Sequence, residues 1–214
     1  STTTQRQKQT QSEAQLESNL IAQLQKADFE LVTIENADAL KANLKRQLEL
    51  ANGFSLTERE FDNVLISLEK GSLFDKSKRL KGKVDVVHDD GTISYLTLLF
   101  NDADAGESES KNLFQVTNQI TMQGKYENRY DVTILVNGFP LVQIELKRRG
   151  IEMAEAFNQI KRYDKHTYGA EGGLFNYIQL FVISNGVNTK YFSNNRELSF
   201  KQTFYWTDFD NNKI

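Results

Sequence analysis

The chain has 214 residues, 39% of them hydrophobic, and no cysteine, which excludes disulfide bonds and cysteine-ligated zinc. Its net charge of −3 indicates no overall basic surface, so any contact with nucleic acid must come from a local patch. No apolar run approaches the roughly 20 residues that span a bilayer, and the polar N-terminus lacks a signal-peptide core; we therefore expect a soluble cytoplasmic protein without a membrane partner.

The chain is predicted to form one α/β domain. Residues 1–11 are expected to be a disordered N-terminal tail, and residues 12–214 a single domain, because no low-complexity linker divides them. Helices come first, then a meander of strands, another helix and more strands. This order predicts a mixed β-sheet flanked by helices.

Three helices are predicted in the first third of the chain. Ser12 is a candidate cap for the first helix. The apolar stripe of this helix is formed by Leu16, Leu20, Ile21 and Leu24. A second helix is predicted over residues 38–50. The third begins at Thr57, which forms a capping box with Glu60, and ends near Gly71.

The strands follow. They are predicted at residues 80–87, 93–100, 113–122, two runs within 130–147, 177–184, 189–192 and, at an edge, 200–206. The nearly continuous apolar run 177–184 predicts a strand covered on both faces. A helix is predicted over residues 151–165.

Several polar groups are predicted to have no active role. His88, at a turn, and His166, at a helix end, are expected to be surface residues. The acidic run is expected to be a solvated loop, because nothing rigid positions it. Its members are Asp102, Asp104, Glu107 and Glu109.

Two runs of alternating polar and apolar residues carry the candidate site. In residues 131–136 and 141–147 the even positions are apolar, which predicts one buried face and one polar face. The polar positions are Asp131, Thr133, Gln143, Glu145 and Lys147. Asn137-Gly138 between the runs is typical of a hairpin turn.

The alternation also predicts the register of this hairpin. A two-residue loop alone would pair Asp131 with Ile144 and leave Glu145 on the opposite face. We therefore predict an odd-length loop closed by a glycine bulge at Gly138, or a compensating bulge elsewhere. Either places Asp131 beside Gln143 or Glu145.

These residue types suit metal-assisted hydrolysis of a phosphodiester. Mg²⁺ prefers oxygen ligands, which Asp131, Glu145 and the backbone carbonyl of Leu146 can supply. Lys147 can stabilise developing charge or orient a water molecule. On spacing alone, however, a half-exposed hairpin with a charged outer face is the simpler interpretation.

The following helix adds polar and basic residues. Gln159 and Tyr163 are four residues apart and share a face. Six basic residues lie between 147 and 165, against three acidic ones, and form a candidate DNA-phosphate patch; a solvated helix face explains them equally well. The basic residues are Lys147, Arg148, Arg149, Lys161, Arg162 and Lys165.

The pattern Asp131…Glu145-Leu146-Lys147, followed by Gln159-x-x-x-Tyr163, resembles the PD-(D/E)xK nuclease superfamily in its branch with a Q-x-x-x-Y element. From about residue 13 onward, the chain is similar to the N-terminal nuclease domain of the restriction (R) subunit of type I restriction-modification enzymes. The segments that carry this similarity are 118–119, 128–132, 144–150, 156–160 and 181–186. The proline that precedes the first aspartate in the superfamily is replaced by Tyr130.

The resemblance implies a restriction-endonuclease-like fold and Mg²⁺-dependent cleavage of double-stranded DNA. Asp131 and Glu145 would be metal ligands and Lys147 the catalytic lysine. Gln159 and Tyr163 would be catalytic support residues. Related nucleases also place a glutamate of the first helix at the metal; Glu17 is the first candidate here and Glu13 the second. The candidate DNA-binding residues are Arg148, Arg149, Lys161 and Arg162.

No G-x-x-x-x-G-K-[ST] phosphate loop occurs in the chain. We therefore expect an N-terminal fragment of a bacterial cytoplasmic subunit, with ATP used only by a motor region outside it, and with modification (M) and specificity (S) subunits as partners. Two alternatives remain: a free-standing repair or recombination nuclease, and a non-catalytic nuclease-like module for DNA binding or subunit assembly.

Overall fold

The computed structural model describes residues 11–101, 110–122, 128–163, 173–194 and 204–205. The helices are α1 (Glu13–Lys26), α2 (Ala37–Asn52), α3 (Glu58–Glu69), α4 (Leu73–Arg79) and α5 (Met153–Tyr163), with a 3₁₀ helix at Gly173–Tyr177. The strands are β1 (Glu30–Leu31), β2 (Lys83–Val87), β3 (Ile93–Thr97), β4 (Phe114–Met122), β5 (Asn128–Val136), β6 (Phe139–Leu146), β7 (Leu180–Ser184), β8 (Thr189–Ser193) and β9 (Phe204–Tyr205). The predicted tail lies outside the described residues, apart from position 11, as do the acidic run 102–109 and His166.

The predicted helix starts are confirmed. Ser12 accepts a hydrogen bond from the backbone N–H of Gln15 at 3.2 Å, and the Gln15 side chain accepts one from the Ser12 N–H at 2.9 Å. Thr57 and Glu60 form the same reciprocal box at the start of α3. Helix α4 was not predicted, because seven residues are too few to show an apolar stripe.

Within the described residues, seven strands form one mixed sheet in the order β1-β4-β5-β6-β7-β8-β9. The β1–β4 and β6–β7 pairs are parallel, and the other pairs are antiparallel. Strands β2 and β3 form a separate antiparallel ribbon. The predicted mixed α/β class is therefore confirmed, as is the edge position of the last strand. Strand β1 was missed, because two residues carry no alternation.

The sheet is covered on both faces. Helix α1 lays the predicted stripe, including Ile21, over Val132, Ile144 and Leu146. The larger core on the other face includes Ala156, Phe157 and Ile160 of α5. Strand β7 contributes to both cores, with Phe181 and Ile183 in the larger one and Val182 against the smaller, as its apolar run predicted.

The hairpin β5–β6 has the predicted register. It results from a bulge outside the turn, which was the second of the two predicted alternatives. The loop has two residues, Asn137 and Gly138, with φ values of 50° and 86°, so the prediction of an odd-length loop is wrong. Val136 pairs with Phe139, and a bulge between Ile134 and Leu135 then shifts the register. Leu141 is the extra residue on β6, since Leu135 pairs with Pro140 and Ile134 with Val142.

His88 is not the surface residue that was predicted. Its side chain is 22% exposed, Nδ1 lies 3.1 Å from Glu60 Oε1, and Nε2 lies 2.7 Å from Ser94 Oγ. Because Glu60 belongs to α3, these contacts tie the β2–β3 ribbon to that helix. The predicted turn between these strands is present, with His88 N–H donating to the Thr92 carbonyl at 2.8 Å.

None of the helices within the described part of the chain is long and apolar enough to cross a membrane.

Candidate active site

The hairpin brings Asp131 and Glu145 together. Thr133 pairs with Gln143 and Val132 with Ile144, and the same register continued by one residue sets Asp131 opposite Glu145. Asp131 Oδ2 accepts a hydrogen bond of 2.8 Å from the backbone N–H of Leu146. The β-bulge therefore puts the two carboxylates on the same face of the sheet, as the alternation predicted.

Three of the five residues on this polar face are buried, and Asp131 and Lys147 are half-buried, so the face is not the exposed outer side that the simpler interpretation requires. Thr133, Gln143 and Glu145 are all 0% exposed. Thr133 Oγ1 donates to Gln143 Oε1 at 2.7 Å, and Gln143 Nε2 donates to Glu145 Oε1 at 3.2 Å. The other oxygen of Glu145, Oε2, is buried without a hydrogen-bond partner.

Both carboxyl groups resist ionisation in this position. Burial raises the pKa of Asp131, and the charge of Glu17 adds to that effect, while the hydrogen bond from Leu146 opposes it. Burial, followed by the charge of Asp131, raises the pKa of Glu145 well above its ordinary value. A cation at this position would offset both effects, since it favours the ionised form of each group.

Lys147 follows directly at the end of β6. Its backbone N–H donates to the carbonyl of Ser184 at 2.9 Å, which extends the pairing of β6 with β7. The charge of Lys147 lowers the pKa of both Asp131 and Glu145, against the larger effect of burial. The ammonium group is therefore within electrostatic reach of both carboxylates.

Helix α1 contributes two glutamates near this end of the sheet. Both oxygens of Glu17 accept hydrogen bonds of 2.6 Å, one from Asn118 Nδ2 and one from Gln119 Nε2. Glu13 is exposed and accepts a bond of 3.2 Å from the backbone N–H of Arg148. Of the two candidates, Glu17 is the one whose charge reaches Asp131.

The donor set fits a magnesium ion that also uses water and substrate oxygens. Throughout the described ranges, no group of three or more His, Cys, Asp or Glu side chains is placed to hold a metal ion, so Glu17 does not complete a three-carboxylate site. Mg²⁺ in enzymes that act on phosphates is commonly held by one or two carboxylates, with waters and substrate phosphates as the other ligands. Asp131 and Glu145, with the partnerless Oε2, meet that requirement.

Helix α5 carries the remaining predicted residues. It packs on the sheet through Ala156, Phe157 and Ile160, and Gln159 on it is half-buried. Tyr163 is the last residue of α5, but its side chain, like that of Arg162, lies outside the described atoms.

The described part of the predicted basic patch is open to solvent. Arg148 and Arg149 are exposed in the connection after β6. Lys161 is also exposed, and its ammonium lies 5.8 Å from the centre of the Phe157 ring. Lys165 lies outside the described residues.

Sequence reasoning missed the groups that hold these carboxylates. Gln143 and Thr133 were placed on the polar face without a role, and Asn118 and Gln119 were noted only for their resemblance to the nuclease family. The one local signal was the spacing of Gln143, two residues before Glu145 on the same face of β6. The contacts of Asn118 and Gln119 join residues about 100 positions apart, which no local pattern reports.

Comparisons with known proteins show the family to which the chain belongs. The chain is 46% identical over 210 residues to the SauCOLORF180P type I restriction enzyme endonuclease subunit of Staphylococcus aureus, covering 95% of the chain and 22% of that protein. It is 41% identical over 213 residues to the EcoprrI endonuclease subunit of Escherichia coli, covering 95% of the chain and 66% of that protein. The chain thus spans about a fifth of the length of the staphylococcal relative. Residues 10–200 match the family described as type I restriction enzyme R protein N terminus, and the chain belongs to that family.

Proposed function

We propose that this chain is the DNA-cleaving module of a type I restriction enzyme R subunit, a Mg²⁺-dependent endonuclease that hydrolyses phosphodiester bonds of double-stranded DNA. The observation that carries the proposal is the pair formed by the buried Glu145 and the half-buried Asp131, beside Lys147. Burial raises the pKa of both carboxyl groups, and their ionised forms are costly for a fold unless a cation is held there. A module that only bound DNA would not need all three.

The metal site is proposed to consist of Asp131, Glu145 and the backbone carbonyl of Leu146, with Glu17, held by Asn118 and Gln119, near the site but not among its ligands. When bound there, Mg²⁺ supplies Lewis-acid activation of the scissile phosphate and lowers the pKa of a water molecule. Lys147 is proposed to stabilise the charge that develops on the phosphate oxygens or to orient the attacking water. Gln159 and Tyr163 are proposed to support the site from α5.

The DNA backbone is proposed to lie along the exposed basic residues next to this site. Arg148 and Arg149 come directly after Lys147, beyond the end of the strand that carries Glu145. Lys161, exposed on α5, and Arg162, the next residue in the sequence, are proposed to contribute to the same patch. Contacts of this kind position DNA without reading its sequence.

Partners are proposed from the printed names of the relatives, which are endonuclease subunits of type I restriction enzymes. We propose that the module works in the bacterial cytoplasm with modification and specificity subunits. Recognition of the DNA site, and ATP use by a motor, would belong to polypeptide other than these 214 residues.

Plasmid cleavage tests the catalytic assignment. We expect Lys147→Ala, in the full-length subunit assembled with its partner subunits, Mg²⁺ and ATP, to reduce the cleavage rate by about 10²-fold or more, because it removes a charge that stabilises the transition state. Binding of the DNA and ATP hydrolysis should persist, since neither is assigned to Lys147.

The matched control is Lys81→Ala, an exposed lysine in the connection between α4 and β2. We expect this variant to cleave at the wild-type rate. Equal cleavage by Lys147→Ala and the wild type would refute the assignment.

A further inference from the structure

A series of buried side-chain hydrogen bonds leads from the interior of the sheet to Glu145. It runs from Thr133 Oγ1 to Gln143 Oε1 over 2.7 Å, and from Gln143 Nε2 to Glu145 Oε1 over 3.2 Å. All three residues are 0% exposed, so water does not compete for these bonds. Gln143 is thus the only residue among these contacts that touches both the sheet interior and the proposed metal ligand.

The threonine determines which end of the Gln143 amide faces Glu145. The Thr133 hydroxyl donates to the amide oxygen, which leaves the NH₂ group to donate to the carboxylate. Rotating the amide by 180° would place its oxygen against Glu145 Oε1, and two acceptors would then face each other in a site without water. The observed orientation therefore presents an N–H donor to Glu145 Oε1.

The two oxygens of Glu145 are consequently unequal. Oε1 is held by Gln143, whereas Oε2 is buried without a hydrogen-bond partner. A carboxylate held through one oxygen has a fixed orientation, and the other oxygen remains available to a cation. Gln143 therefore holds the Glu145 carboxylate on the side that faces the interior of the sheet.

We propose that Gln143 is a positioning residue for the nuclease: oriented by Thr133, it holds Glu145 through Oε1 and leaves Oε2 for the metal ion. This inference rests on the proposed function, because it requires Glu145 to be a metal ligand. It assigns a role to two residues that are themselves proposed neither as metal ligands nor as DNA contacts.

The affinity of this chain for Mn²⁺, measured by calorimetry and by the loss of the free-ion electron paramagnetic resonance signal, tests the proposal. Residues that orient a metal ligand typically contribute 10- to 100-fold in affinity, so we expect Gln143→Met to weaken Mn²⁺ binding by about tenfold or more. Circular dichroism before each titration confirms that the variant is folded.

Gln115→Met is the matched control, because Gln115 is also 0% exposed on the same sheet. Its amide bonds to Asn43 at 2.9 and 3.3 Å and does not contact Glu145 in the described structure. We expect this variant to lose stability and to keep the wild-type affinity for Mn²⁺.

A second pair of variants removes only the hydroxyl that orients the amide. Thr133→Val keeps the shape of the side chain and should weaken Mn²⁺ binding in the same direction, whereas Thr133→Ser keeps the donor and should restore wild-type affinity. This pair decides the question if Gln143→Met does not fold.

Wild-type affinity in both Gln143→Met and Thr133→Val overturns the positioning role and leaves the metal site standing. Absence of Mn²⁺ binding by the wild type, or binding unaffected by Asp131→Asn, overturns the metal site and this role with it.

Discussion

Glu145 is buried next to a second carboxylate, and this position has a consequence for stability. Its pKa is raised well above 4.5, first by burial and then by the charge of Asp131. Folding therefore favours the protonated form. The stabilisation is complete below the unfolded-state pKa and is lost as the pH rises through the raised folded-state value. Without metal, the ionised carboxylate therefore lowers the free energy of unfolding at higher pH.

We therefore predict that Glu145→Gln raises the melting temperature of the metal-free protein at pH values above the raised pKa. The gain should shrink as the pH falls toward 4.5, because the wild-type carboxyl group is then protonated too. Thermal unfolding in a chelator across this pH range measures the difference. For a chain of this size, about 1 kcal/mol corresponds to about 2–4 °C.

The exposed Glu155 on α5 supplies the control, since Glu155→Gln should leave the melting temperature nearly unchanged. Adding Mg²⁺ should stabilise the wild type and have little effect on Glu145→Gln, because only the intact site binds the ion. A Glu145→Gln effect that stayed constant with pH would contradict the burial argument.

At the scale of elements, the turn between β5 and β6 is fixed by the structure around it. The Asn137 side chain accepts a bond of 2.7 Å from the Leu113 N–H and donates to the Leu98 carbonyl at 2.9 Å. Helix α2 lies so close that a Cβ added to Gly138 would be 2.6 Å from the Cα of Leu44. The turn that starts the strand of Glu145 is therefore held from both sides.

We predict that Gly138→Ala destabilises the protein by about 2 kcal/mol or more, because alanine is strained at a φ of 86° and its methyl group would also collide with the backbone of α2. Urea unfolding measures the loss.

Gly53→Ala separates the two causes. Gly53 has a similar φ of 75°, but a Cβ there meets nothing within 4 Å, so this variant should lose only the conformational part, about 1 kcal/mol. Equal losses at Gly53 and Gly138 would show that α2 does not constrain the turn.

At the scale of the whole molecule, the proposed contact with DNA requires a restricted surface, because the protein is acidic. The net charge is −3, yet Arg148 and Arg149 are exposed beside the proposed site. Electrostatic attraction to DNA should therefore depend on this patch rather than on the average charge.

We predict that the double change Arg148→Ala and Arg149→Ala weakens DNA binding and makes it less sensitive to salt. Each lost phosphate contact should reduce the slope of log K against log salt by about 0.9. Fluorescence anisotropy with a DNA duplex at several salt concentrations measures the slope. Lys81→Ala should leave it unchanged, and an unchanged slope in the arginine variant would place the DNA elsewhere.

The sequence was informative where function and fold depend on local patterns. Alternation predicted that Asp131 and Glu145 share a face and that a bulge was needed, because side-chain direction repeats every two residues. The same pattern could not reveal that Thr133, Gln143 and Glu145 on this face are buried, because the side chains that cover the sheet come from distant parts of the chain. His88 was misjudged for a similar reason: its partner Glu60 lies 28 residues away, on another element.

Because Leu141 is an extra residue on β6, the direction of the Glu145 side chain depends on how many residues lie between the turn and Glu145. Removing one residue between the turn and the glutamate would direct Glu145 toward α1 and send Ile144 to the opposite side. In related chains, therefore, the number of positions in this interval should vary less than the side chains that fill them. An insertion or deletion there would disable the site more surely than most substitutions.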